Sequence, residues 1–160
     1  MKKKEKKTYR LDGFRLPTYR EIPSVGLYLD QTSKYINEAL SELPECAITN
    51  SMISNYVKKK LIDNPVKKQY GRDQIAYLIF IAVTKSALSL DDVQGLFRLQ
   101  KQRCSCEEAY SYFCERFDRL LNDEEKIRED DREKMLLENV IVTAVSNIRL
   151  RKLLEEAFEQ

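Results

Sequence analysis

Nine consecutive residues, Ile75-Ala-Tyr-Leu-Ile-Phe-Ile-Ala-Val83, have no side to give to water. An element built from them must be enclosed on every face, so the rest of the chain has to wrap around it. Their β-branched content would suit a buried strand. The stretch from Arg72 to Lys85 holds no glycine or proline, however, and that length favours a central helix. Nine residues fall far short of the ~20 that a transmembrane helix needs, so no membrane association is expected.

The flanking sequence is punctuated as further helices. Leu29, Ile36, Leu40 and Leu43 form one stripe over about Asp30 to Leu43, and Pro44 ends it. Thr49 is a good N-cap for a helix from Asn50 to about Lys60, with Met52, Ile53, Tyr56, Val57 and then Leu61 facing inward. Asn64-Pro65 marks a turn, and "DNPVKKQY" has the length of a small loop or wing. Ser89-Leu-Asp-Asp92 and Ser105-Cys-Glu-Glu108 are capping boxes that open helices of roughly 89–101 and 105–121. In the latter, Cys106, Ala109, Tyr110, Phe113 and Phe117 make the core stripe. Residues 131–158 read as one long helix, with Leu137, Ile141, Ala144 and Ile148 as a packing or dimer seam; residues 139–143 are open to a strand reading. The expected fold class is all-α. Its expected divisions are a basic disordered arm over 1–16, a domain over 17–100, and a helical extension over 101–160 for dimerisation or packing.

Catalysis finds few tools here. The chain contains no histidine, which excludes Ser-His-Asp and Cys-His nucleophile activation. Its four glycines, at 13, 26, 71 and 95, are too far apart to cradle a phosphate. Cys104, Cys106 and Cys114 follow C-x-C-x7-C, without the paired knuckles of zinc sites, and read as small core residues. The expectation is a non-enzyme with no metal and no cofactor. No apolar segment follows "MKKKEKKTYR", so a cytoplasmic protein with reduced thiols is expected.

The net charge of +2 hides a polarity. Residues 1–100 carry 17 Lys/Arg against 11 Asp/Glu, and residues 101–160 carry 11 against 15. Between 46 and 72, Lys58, Lys59, Lys60, Lys67, Lys68 and Arg72 face Asp63 alone. One half therefore suits a polyanion. The helix from Asn50 has an outward face of Asn50, Ser51, Ser54 and Asn55, short side chains able to meet base edges, followed by Lys58 and Lys59 for phosphates. A helix entering the major groove is laid out in that way, with bases read near its N-terminus.

The order Tyr56, Lys58, Leu61-Ile62, Pro65, Lys67-Lys68-Gln69-Tyr70, an apolar helix with Ile75, Leu78 and Ile81, then Ser89-Leu90-Asp91-Asp92-Val93 resembles the MerR-like winged helix-turn-helix proteins over about 48–96. The chain departs from that pattern where Lys60 replaces the glycine ending the recognition helix, where Asp63-Asn64 adds a residue, and in a short wing without glycine. It also has no recognisable metal- or drug-sensing segment. Within that group, "LPTYREIPSVGLYLDQ", "ITNSMISNYVKKKLI", "NPVKKQYGRDQIAYLIFI" and "KSALSLDDV" resemble the bacterial domain of unknown function 1836 over about 16–95. The resemblance implies a MerR-like helix-turn-helix with a short wing and a bacterial cytoplasmic setting, and implies no ligand or target. The expected function is a sequence-specific regulator that binds double-stranded DNA as a homodimer. Asn50, Ser51, Ser54 and Asn55 would read bases; Lys58, Lys59, Lys67, Lys68 and Arg72 would hold phosphates, with Tyr56 either packing or lending its hydroxyl. The alternative is a non-catalytic adaptor that offers the same fold to an acidic protein partner.

Overall fold

The computed structural model describes residues 13–122 and, beyond them, residues 143, 146–147 and 149–159. It is mainly helical: α1 spans Leu29–Ala39, α2 Asn50–Lys58, α3 Arg72–Thr84, α4 Leu90–Arg103 and α5 Cys106–Asn122, with a 3-10 turn at Pro44–Cys46. Among the described residues strand pairing is limited to two isolated antiparallel bridges, Leu27 with Tyr70 and Val66 with Gln69. No described helix is long and apolar enough to cross a membrane.

The apolar run becomes the central helix α3. Ile75, Ala76, Leu78, Ile79, Ile81 and Ala82 are all buried, and α1, α5 and the 3-10 turn pack against it. Each fully enclosed isoleucine or leucine there contributes roughly 1.5–3 kcal/mol over its exposed state. α1 lies on α2, and α4 lies on α5.

Two expected divisions change. Phe14 and Leu16 sit in the core rather than in a disordered arm: the backbone N–H of Leu16 donates to Asp118 Oδ1 at 3.1 Å, and the Pro17 carbonyl accepts from Tyr110 Oη at 2.8 Å. A charge-rich N-terminal composition hid these two apolar anchors. Nor does the domain stop at residue 100, because Cys106, Tyr110 and Cys114 on α5 belong to the same core as α3. An all-round apolar helix needs that second cover.

The chain returns at its C-terminal end. Residues 149–158 are helical, Leu154 is buried, and Arg151 pairs with Asp92 at 2.8 Å while donating to the Ala87 carbonyl at 3.1 Å. Gly95 on α4 admits Phe158 closely; a Cβ there would lie 2.4 Å from its ring. The seam of Leu137, Ile141, Ala144 and Ile148 lies outside the described residues, as does the 139–143 segment apart from residue 143, which is helical.

Candidate nucleic-acid interface

α1 positions α2 through three polar clamps. The Asn37 side-chain amide donates to the Ile48 carbonyl at 2.8 Å and accepts from the Ile48 N–H at 2.9 Å, fixing the chain as it enters α2. Thr49 Oγ1 then accepts from Met52 N at 3.2 Å, the cap read from the sequence. At the first helical residue, Asn50 Oδ1 accepts from Ser33 Oγ at 2.6 Å, and Asn50 Nδ2 donates to Asp30. Ile53 and Tyr56 anchor the inner face.

α2 ends in a Schellman motif. The Leu61 N–H reaches the Tyr56 carbonyl at 3.0 Å, the Lys60 N–H reaches that of Val57 at 2.9 Å, and Lys60 takes φ 59°. Lys60 therefore adopts the left-handed conformation that glycine usually supplies, and the turn keeps its ordinary geometry. Tyr56 and Leu61, at the motif's two hydrophobic positions, are both buried.

A second left-handed site follows. Val66 and Gln69 exchange both backbone hydrogen bonds, at 3.1 and 3.0 Å, around Lys67 (φ 52°) and Lys68 (φ 63°). Positive φ at both central residues is the type I′ hairpin turn, which normally selects Asn-Gly. Its base is tied down: Tyr70 exchanges backbone hydrogen bonds with Leu27, and Gly26 lets Gln69 approach to 2.7 Å from where a Cβ would stand. Gln74 on α3 holds both flanks, accepting from the Gly71 N–H at 2.7 Å and donating to the Asp63 carbonyl at 2.8 Å.

The residues singled out from the sequence divide into two groups. Ser51, Ser54, Asn55, Lys58, Lys59, Lys67 and Lys68 are exposed, and none of their side chains has a hydrogen-bond or ion-pair partner among the described residues. Lys60 joins them by the same criterion. Three of the four other described lysines are engaged: Lys34 pairs with Glu38, Lys85 donates to the Glu45 carbonyl, and Lys101 lies over the Tyr77 ring, whereas exposed Lys152 has no partner among the described residues. Asn50, Tyr56 and Arg72 form the other group. Asn50 ties α2 to α1, as above. Tyr56 is buried, and burial raises its hydroxyl pKa. Arg72 donates from Nε to the Ile22 carbonyl at 2.8 Å and lies over the Tyr19 ring at 5.4 Å. These three brace the platform.

Sequence reasoning missed Asn37 and Gln74, amides that hold backbone rather than ligand, and left Lys60 out of the contact set. The departure from glycine at Lys60 was the available signal. Among the α-helices with defined bounds, α2 has no acid in its first turn, whereas the others carry Asp30, Asp73, Asp91 with Asp92, and Glu107 with Glu108. Among the described residues, the acid that meets this positive end is Asp30, across the α1 contact.

The chain belongs to the family described as domain of unknown function DUF1836, whose sequence profile matches residues 17–113. No curated protein and no solved structure matches it significantly.

Proposed function

We propose that this DUF1836 protein is a sequence-specific regulator of transcription that binds double-stranded DNA through a MerR-like helix-turn-helix. In this reading α1 supports, α2 enters the major groove, and the 66–69 turn is a short wing. Ser51, Ser54 and Asn55 meet base edges, where asparagine can pair bidentately with adenine. Lys58, Lys59 and Lys60 at the far end of α2, with Lys67 and Lys68 on the wing, bind phosphates. Asn50, Tyr56 and Arg72 act through the scaffold.

The carrying observation is the set of eight exposed side chains without partners among the described residues, on a short helix and turn held by hydrogen bonds at both ends. Three of its lysines also hold left-handed backbone, at a cost of roughly 1–2 kcal/mol each. Strain retained in one cluster is the mark of a functional constraint. One nine-residue helix reads few base pairs, so a homodimer spanning half-sites ~10 base pairs apart completes the reading.

Titrating a labelled duplex across a salt series tests this. The reading expects log affinity to fall linearly with log salt, with each lysine–phosphate contact contributing about 0.9 to the slope. Absence of binding even at low salt removes it. An adaptor role has one observation in its favour: Val25, Tyr28 and Val66 are 73, 52 and 73% exposed, an apolar margin flanking α1 and the wing. An adaptor would bind an acidic protein and would not discriminate between duplexes.

A further inference from the structure

We infer that the cavity between α3, α4 and α5 is a binding site for a small, uncharged aromatic molecule. It is a half-open recess of about 220 Å³ whose surface is almost wholly apolar. An apolar cavity of about 150 Å³ already admits benzene, so the recess has room for a one- or two-ring molecule.

The walls set the chemistry of the guest. Tyr77, Phe80, Phe97, Tyr110 and Phe113 supply the rings, and Ala76 and Ala109 leave the space between them. Neighbouring rings are tilted rather than stacked: Tyr77 and Phe97 lie 4.5 Å apart at 55°, and Phe80 and Phe113 5.0 Å apart at 70°. Such a lining offers both faces and edges to a flat aromatic guest. None of the lining residues is Lys, Arg, Asp or Glu, so a charged guest would lose its hydration with nothing in return.

One polar pair lies in the wall. Tyr77 Oη donates to Gln100 Oε1 at 2.8 Å, and Gln100 Nε2 donates to the Cys104 carbonyl at 2.7 Å. These groups are answered within the protein, so the guest is held by ring contact. The Cys106 thiol, also in the wall, is pushed up to about 12 by burial and stays protonated, an inert surface rather than a nucleophile. The site does not depend on the nucleic-acid reading. Its relation to that reading is α3, which lines the cavity with Tyr77 and Phe80 and holds both flanks of the 66–69 turn through Gln74.

Indole is the probe, titrated into the full chain. Because the protein contains no tryptophan, indole emission excited beyond the tyrosine band reports its own surroundings. The expected result is a saturable blue shift, with intermolecular NOEs from indole to the Ala76 and Ala109 methyls. Ala109→Leu and Ala76→Val fill the space, and each should weaken binding by about tenfold or more while circular dichroism stays that of the parent. Absence of saturable binding overturns the proposal. So do NOEs confined to methyls elsewhere, or affinity unchanged in a folded filled variant. None of these readouts involves DNA, so the regulator reading can fail while the site stands, and the reverse.

Discussion

α2 and α4 begin alike and end in opposite relations to the rest of the chain. Each opens on a hydroxyl cap, Thr49 in one and Ser89 in the other. α4 then answers its own charges: Asp91 and Asp92 sit at its positive end, Lys101 and Arg103 at its negative end, and Arg151 closes on Asp92 from the C-terminal segment. α2 carries no acid in its first turn, and its outward serines, Asn55 and lysines have no partners among the described residues. A helix that satisfies its own ends has little to offer outside the protein. One held rigidly and left electropositive gains most from an external anion.

The contrast is sharpened first by the core on which both helices depend. Leu78→Ala, at a fully enclosed position of α3, should cost about 3 kcal/mol in urea unfolding. Gly95→Ala should strike α4 alone: its methyl meets Phe158, costing about 1–3 kcal/mol if the contact is kept and otherwise releasing the C-terminal helix, which faster hydrogen exchange over 149–158 would reveal.

Lys60→Gly breaks the comparison from the α2 side. Relief of the left-handed strain should raise stability by about 1 kcal/mol, while duplex affinity falls on every sequence alike. Equal stability with unchanged affinity would show that Lys60 has no use for its conformation. Smallest in stability is Asn55→Ala, within about 0.5 kcal/mol at an exposed position. It should nevertheless relax preference at one base position, and an equal loss on all sequences would remove its reading role.

Acid separates the two helices again. The Ser89 hydroxyl, followed by its backbone N–H and Arg151, holds the Asp92 carboxyl below its ordinary 3.8. A depressed folded pKa means that this stabilisation is complete above that value and is lost as pH falls through the folded one. Urea midpoints followed from about pH 5 to about pH 3 should therefore drop more steeply in the parent than in Asp92→Asn. α2 has no first-turn acid to add to that limb.

Much of this architecture was legible because its signals are local. Thr49, Ser89 and Ser105 cap helices within three residues, and the apolar run named its own central position. What escaped depends on distance in sequence. Nothing near Asn50 announces that Asp30 and Ser33 will claim its amide, nor does anything near Arg72 point to the Ile22 carbonyl. Leu16 and Pro17 are tied to α5, about a hundred residues away. The turn after Pro65 was legible as a basic loop, but its left-handed lysines contradict the local preference for Asn-Gly, so residue type pointed away from the observed geometry. The cavity is an absence between three helices and has no sequence of its own.

The central claim is that the open face of α2 reads DNA sequence. Selection of bound duplexes from a random pool, at low and near-physiological salt, tests it most directly. The account predicts an enriched palindrome, with half-sites one helical turn or a multiple apart, that survives the higher salt. Failure to enrich any sequence, with binding that vanishes as salt rises, would contradict it and leave the lysines as a generic polyanion surface.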